Sequence, residues 1–394
     1  MTKEVKNVPD LRFPGFENTW ETKKLHQIVD VKDGTHESPK PTDDGYLLVT
    51  SKNLKNSTLD FSESYSISKE DYEDINKRSK VEIGDILFGM IGTIGNPILL
   101  EKDGFAIKNV ALLKTSSLQE REYILNFLKS NSITKQFYKL NVGGTQKFIS
   151  LRSIRDLKID IPSSEEAIKI GGFFNKLDRQ IELEEQKLSL LEEQKKGYMQ
   201  QIFSQKLHFK DENGKDYPLW EIKKLGELYK VVMGQSPKSI NYTDDNSHPV
   251  LVQGNADIYN GNIFPRMYTK EITKLVKKGD ILLTVRAPVG EIGIAQFEAC
   301  MGRGVCSIEG NKFIYYFLEM FGIQNKWQKL SQGSTFESIS GNEVRNIEIP
   351  IPSPSEREKI SDFFSELDHL INMHSQKVDE LKLRKQGFLQ KMFV

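Results

Sequence analysis

The sequence predicts an α+β protein built on an internal repeat, in which two mixed, strand-rich globular halves are each followed by a long coiled-coil helix. Three observations carry this. From Gly143 to Phe203 the chain aligns without a gap on Gly333 to Phe393, at a constant offset of 190, with about 24 of the 61 positions identical. A repeat of that length dictates the architecture. Within each copy one position recurs at alternating steps of four and three, the period of a coiled-coil seam. The halves upstream of the copies share anchors and otherwise differ.

Ile170, Phe174, Leu177, Ile181, Glu184, Leu188, Leu191, Lys195, Tyr198 and Ile202 form the first seam. The second reads Ile360, Phe364, Leu367, Ile371, His374, Val378, Leu381, Lys385, Phe388 and Met392. The polar exceptions fall at matching places, and Lys195 and Lys385 read either as a buried register device or as a solvated end. Serine caps and early carboxylates at Ser163-Ser164-Glu165-Glu166 and Ser353-Pro354-Ser355-Glu356 suit helix N-termini. A helix of about 40 residues is roughly 60 Å long, and a one-sided seam of that length needs a partner. The obvious partner for each copy is the other.

The first globular half opens on Trp20 to Leu25 and runs through Ile28–Val31 to the turn at Gly34. Tyr46–Thr50 reads as a strand, Gly84-Asp85 as a turn into Ile86–Phe88, and Ala106–Leu113 as a further strand. Arg121–Leu140 has helical spacing. The second half repeats the plan: Trp220 to Leu225 and Gly234 match at offset 200, Gly279-Asp280-Ile281-Leu282, Gly290 and Val305 at 195, and Phe313–Leu330 answers the helical stretch. Shrinking offsets mean loops of changed length around a kept core. The expected segments are residues 1–162, 163–205, 206–352 and 353–394.

Composition excludes several classes. No run of about eighteen apolar residues occurs, so no membrane span is expected, and Met1–Val8 lacks the apolar stretch of a signal peptide. Cys300 and Cys306 are the only cysteines. They cannot supply a four-ligand zinc site, read as core residues of a strand pair, and point to a reduced, cytoplasmic protein. Lysine plus arginine total 55 and aspartate plus glutamate 55. Any nucleic-acid surface must therefore come from local charge placement. The chain carries no Gly-x-x-x-x-Gly-Lys-Ser/Thr loop, no Gly-x-Gly-x-x-Gly, no His-Glu-x-x-His, and no Asn/Asp-Pro-Pro-Tyr/Phe run. Pro9-Asp10 with Glu21-Thr22-Lys23 mimics a metal-nuclease pattern. Its copy at Glu221-Ile222-Lys223 has no matching Pro-Asp, so it reads as the start of a repeated unit.

The tail Lys187-Leu188…Leu191…Lys195-Lys196-Gly197-Tyr198-Met199-Gln200-Gln201-Ile202-Phe203 has its counterpart in Lys377-Val378…Leu381…Lys385-Gln386-Gly387-Phe388-Leu389-Gln390-Lys391-Met392-Phe393. With the opening Pro9-Asp10-Leu11-Arg12-Phe13-Pro14-Gly15-Phe16 and its echo Tyr217-Pro218-Leu219-Trp220, the chain resembles the specificity (S) subunits of type I restriction-modification systems over essentially its whole length. The resemblance implies two target recognition domains, joined by the two long helices packed antiparallel, in a pseudo-twofold arrangement that reads a bipartite, asymmetric double-stranded DNA target. It implies no catalytic site and no cofactor on this chain. S-adenosylmethionine would come with two methyltransferase (M) subunits, and ATP and Mg with two restriction (R) subunits. Half-sites about one turn of DNA apart would follow from twofold-like reading, with helix length setting the spacer.

Base readout needs forked or amide side chains on base edges, with lysines and amides on phosphate. The candidates are polar loops at matching places in the two halves: Gly34, Thr35 and His36 with Gly234, Gln235, Ser236 and Lys238, and Ser51, Lys52 and Asn53 with Gln253 and Asn255. Lys108 with Arg303, and Thr145, Gln146 and Lys147 with Ser334 and Thr335, complete the set. Arg286 stands opposite Ile91 in the repeat and is a source of different base choice. Two other classes fit parts of the sequence. A self-contained restriction or methylation enzyme lacks its motifs, and a protein-only coiled-coil scaffold leaves two divergent domains unexplained.

Overall fold

A computed structural model describes residues 7–55, 58–92, 94–115, 117–139, 148–331 and 338–394. Both repeat copies are uninterrupted helices, Ser164–Phe203 and Pro354–Lys391. Each begins on a serine hydroxyl that accepts a backbone N–H in the first turn, Glu166 to Ser163 at 3.3 Å and Glu356 to Ser353 at 3.3 Å. Those bonds satisfy donors the helix itself cannot. Among the described residues no helix is long and apolar enough to cross a membrane.

By its contacts the chain divides into two compact units, Met1–Glu185 with Gln376–Val394, and Gln186–Ser375. This regroups the four segments expected from the repeat, because the division falls within both helices. Each unit holds one globular domain, the start of one helix and the end of the other. The physical reason is that the seam does not face a helix alone. Ile170 and Phe174 enter the same core as Trp20, Tyr123 and Phe127, and Ile360 and Phe364 the same core as Leu225, Phe313 and Phe317.

In the first unit one antiparallel sheet runs in the order Asp30–Asp33, Val110–Lys114, Ile86–Gly89, Gly95–Leu99. A second pairs Tyr46–Thr50 antiparallel with Tyr65–Ile67 and parallel with Ala106–Lys108. The run Ala106–Leu113 is thus two strands, not one. Asn109, at φ 54°, turns the chain out of one sheet into the other, a conformation asparagine tolerates. The helical stretch after it likewise breaks into Leu118–Leu128 and Asn131–Lys139.

The second unit keeps the order Val231–Met233, Val305–Ile308, Ile281–Thr284, Ile292–Ile294, and extends that sheet with Asn262–Ile263 and Ile258–Tyr259. Leu251–Val252 runs parallel to Ala299–Met301, as its counterpart does in the first unit. The stretch Phe313–Leu330 is Lys312–Ile323 and Lys326–Leu330, interrupted at Asn325 with φ 54°. Cys300 and Cys306 are fully buried strand residues but lie in different sheets, and burial pushes the Cys306 thiol up to about 12.

The two cores are built alike. Phe393 packs on Tyr123, Phe127 and Phe174 at 5.5, 5.9 and 5.8 Å between ring centroids. Phe203 packs on Phe313, Phe317 and Phe364 at 5.6, 5.8 and 6.2 Å. Trp20 Nε1 donates to buried Glu166 at 3.1 Å and Trp220 Nε1 to buried Glu356 at 3.0 Å. Among the described residues only the first unit adds a guanidinium, Arg12, forked onto Glu166 at 2.6 and 2.7 Å.

Along the seam Leu177, Ile181 and Leu381 are buried together with Phe173 and Phe388 against them, and Ile202 lies in one cluster with Ile360, Phe364 and Leu367, with Tyr198 packed against it. Val378 and Met392 are buried, and Leu188, Leu191 and Ile371 half-buried. The seam lysines resolve as ion pairs whose ammonium groups are largely buried. Lys195 is 2.7 Å from both Asp368 and Glu319, and Lys385 is paired with Asp178. These are the same pair at offset 190.

Their surroundings differ. The aromatic packing matches Tyr123 and Phe127 with Phe313 and Phe317, again at offset 190, so Glu122 and Lys129 stand where the second unit has Lys312 and Glu319. Burial raises the Glu319 carboxyl and Lys195 opposes that rise. In the first unit Lys129 has no such opposite charge fully to itself. Burial and then Lys385 push it down to about 8, against Asp178 and Glu122. A lysine whose folded pKa lies below its unfolded value costs stability at neutral pH, and the cost fades as pH rises from about 8 toward about 10.4. Lys129→Met is therefore expected to stabilise the protein by about 2 kcal/mol at pH 7. Chemical denaturation at pH 7 and pH 10 checks this, since the gain should shrink at the higher pH.

Candidate nucleic-acid interface

The candidate loops hang from one backbone frame that both units share. Gly34 N–H donates to Val110 O at 3.0 Å and Thr35 N–H to Ile107 O at 2.9 Å. Gly234 N–H donates to Val305 O and Gln235 N–H to Met301 O, both at 2.9 Å. A Cβ on Gly34 would lie 2.1 Å from Ile107 O, and one on Gly234 2.1 Å from Gly302 O. Both glycines are therefore required by close crossing of the backbone, which leaves the residues after them to face outward.

In the first unit several of those residues are occupied. The His36 ring nitrogens lie 2.8 Å from Asn109 Oδ1 and 2.9 Å from Asp33 Oδ2. Arg78 donates to Gly34 O at 2.7 Å and pairs with Asp33 at 3.2 Å. A cavity of about 360 Å³ beside them is lined by Thr35, His36, Glu37, Asp71, Asp74 and Arg78 among others. Lys108 Nζ donates to Ser38 Oγ. Lys52 is exposed, and among the described residues its ammonium has no ion-pair partner.

Ser51 and Asn53 do not face outward, which corrects the expectation for that loop. Ser51, 4% exposed, donates to Asn109 O at 3.0 Å and accepts from Met90 N–H at 3.2 Å. Asn53, 1% exposed, accepts from Thr50 N–H at 2.7 Å and donates to Asp60 O and Ser64 Oγ. Both tie loops together from inside. The counterpart of Asn53 is Asp257, which is also buried and accepts from Gln253 N–H at 2.8 Å. Asp60 N–H donates to Asn53 O and Phe264 N–H to Asp257 O, each at 2.8 Å. Locally the offset is thus 204, so Asn255, and not Gln253, stands at the place of Ser51.

The second unit assembles its candidates into one cleft of about 490 Å³. Ser236, Lys238, Gln253, Arg286 and Arg303 line it, together with Pro237, Ser239, Tyr242, Gly254, Ala287 and Gly304. None of these is acidic. Val285 N–H donates to Gly304 O at 2.9 Å, and Arg303 N–H to Ser236 Oγ at 3.0 Å, so three segments converge on hydrogen bonds. The Lys238 backbone N–H donates to Glu271 at 3.0 Å, and Lys238 is exposed. Gln235, Asn255, Arg286 and Arg303 are exposed. Among the described residues the Arg286 and Arg303 guanidiniums make no ion pair.

Ile91 and Arg286 occupy the same place, each bridging to the segment before the last short helix of its domain, at Phe148 and Ser338. Thr145, Gln146, Lys147, Ser334 and Thr335 lie outside the described residues. Glu21 pairs with Lys23 at 2.9 Å and Glu221 with Lys223 at 2.8 Å, a repeated surface contact and not half of a metal site. Among the described residues no cluster of three or more His, Cys, Asp or Glu is placed to hold a metal ion. Tyr242 and the Glu271 tie were not foreseen.

The family model described as "Type I restriction modification DNA specificity domain" matches residues 17–193 and again 218–383. The putative type I restriction enzyme MjaX specificity subunit of Methanocaldococcus jannaschii is 30% identical over 396 residues, covering 94% of this chain and 92% of that protein. The MjaVIII specificity subunit of the same organism is 25% identical, covering 80% and 79%. Two solved structures share the fold. One, described as bearing on complex assembly and conformational transition of the type I R-M system, has a TM-score of 0.62 at 20% identity, covering 96% of this chain and 98% of that one. The type I restriction-modification S subunit from M. genitalium has a TM-score of 0.61 at 17% identity, covering 98% and 99%.

Asn53→Ala should act on stability, because it strips the part-buried Thr50 N–H of its acceptor and removes the bonds of buried Asn53 to Asp60 O and Ser64 Oγ. A loss of about 1–3 kcal/mol is expected, measured by urea unfolding.

Proposed function

The chain belongs to the type I restriction modification DNA specificity family, and on that premise we propose that it is the non-catalytic, DNA-reading subunit of a methyltransferase and restriction complex. Each globular domain reads one half of a bipartite, asymmetric duplex target. One observation carries the reading. The same glycine-crossed backbone frame occurs in both domains, yet it presents Ile91 and a bonded Lys108 in one, and in the other Arg286 and an Arg303 that has no ion-pair partner among the described residues. A kept frame with exchanged tips is what two half-sites of different sequence require.

Chemistry is supplied by partners. Two methyltransferase subunits would bring S-adenosylmethionine, and two restriction subunits would bring ATP and Mg. The outward helix faces carry apolar side chains suited to such docking, among them Leu183, Leu190 and Leu383. Thr35, Gln235, Ser236, Lys238, Gln253 and Asn255 are assigned to the DNA-facing surface, with Lys52 on phosphate.

Methylation mapping of a genome with and without this chain, beside its cognate methyltransferase, tests the proposal. A split motif with two unlike halves is expected to appear only when the chain is present. An unchanged methylome with both proteins expressed defeats it. Lys52→Ala should weaken binding of that complex to all duplexes alike and lower the salt slope of log K by about one, as loss of a single phosphate contact does.

A further inference from the structure

We propose that Arg286 reads a guanine in the half-site of the second unit, while Arg303 beside it holds a phosphate. This rests on the reading that the second domain faces DNA. Thr284 and Val305 are paired across antiparallel strands, and Val285 N–H continues that ladder to Gly304 O at 2.9 Å. Arg286 and Arg303 are the next residues along these two segments, and both line the same cleft.

Two guanidiniums lining one cleft concentrate positive charge there. Neither has an ion-pair partner among the described residues, and no carboxylate lines the cleft. The arrangement is completed by an acceptor-rich ligand. The backbone beneath Arg286 is fixed: Thr284 is fully buried, its hydroxyl donates to Pro288 O at 3.0 Å and accepts from Glu291 N–H at 2.9 Å, and Ile339 N–H donates to Val285 O at 2.9 Å. On the other side a Cβ on Gly304 would lie 2.0 Å from Gln253 O, so the Arg303 segment cannot move without the Gln253 loop. A side chain on so rigid a base can select by geometry and not by charge alone.

The repeat separates the roles. Phosphate is the same in every sequence, so a phosphate contact should be a cation in both domains. Arg303 meets that condition at the level of the loop: it lies between Met301 and Val305, the counterparts of Ile107 and Val110, and the first unit carries Lys108 in that same loop. Arg286 does not, because its place there is taken by Ile91, a side chain that can meet a thymine methyl but no acceptor. Divergence at this one position marks base reading, and the partner of a guanidinium fork on a base edge is O6 and N7 of guanine.

The test is selection from randomised duplexes by the full chain in complex with its methyltransferase partner. The wild type should enrich a split motif with guanine in one half. Arg286→Ala should lower discrimination at that single base pair by about tenfold or more and leave the other half-site and the melting temperature unchanged. Arg286→Lys, which keeps charge but loses the fork, should not restore it. Arg303→Ala should weaken every sequence alike and reduce the salt slope by about one. A uniform loss from Arg286→Ala, or a motif without guanine in either half, overturns the assignment while DNA reading stands. If the wild-type complex enriches nothing, the reading beneath it fails as well.

Discussion

The structure depends on an ion pair that occurs twice. Lys195 meets Asp368 and Lys385 meets Asp178, each across the end of one long helix and the start of the other. A pair of this kind, with its lysine largely buried and its aspartate about a third exposed, adds little net stability over apolar residues, since desolvation offsets the attraction. Its effect is on register. Sliding one helix by a turn would leave a largely buried lysine without its carboxylate, which costs more than the pair returns. The apolar seam alone repeats too regularly to forbid that slip. Because Trp20 and Trp220 are tied to Glu166 and Glu356 on the same helices, helix register also fixes how each domain's core closes.

Around that fixed point the two units were free to diverge in charge. Glu122 and Lys129 stand where the other unit has Lys312 and Glu319, so the second lysine of the cluster in one unit is a glutamate in the other. The glutamate gives Lys195 two carboxylates, whereas Lys129 sits near Lys385 and is pushed toward neutrality by burial. The same interior geometry therefore serves both signs. What did not diverge is backbone packing, at Gly34 and Gly234, where no side chain fits.

This contrast explains which parts were legible in the sequence. The helices were, because a gapless offset of 190 and a seam period leave little freedom. The matched seam lysines were visible too, although their partners were not, since Asp178 and Asp368 lie off the apolar stripe. Asn109 and Asn325 broke predicted elements because a left-handed residue carries no periodicity signal. Ser51 and Asn53 misled for another reason: a polar side chain satisfied inside a fold is written with the same letters as one facing solvent. Only the loop insertion that shifts the local offset to 204 shows Asp257 to be the true counterpart of Asn53. Arg286 was legible through its contrast with Ile91, a difference that survives any loop change.

Zero net charge is no obstacle to a DNA reader built this way. Bulk positive charge raises affinity for every sequence equally and with it the background of non-specific binding. A chain with 55 cations and 55 anions forgoes that background. It concentrates cations where acids are absent, as in the cleft holding Lys238, Arg286 and Arg303, and neutralises them elsewhere through pairs such as Arg78 with Asp33 and Lys114 with Asp85. Binding then draws less on counterion release and more on the geometry of a few forked contacts, which favours discrimination over affinity.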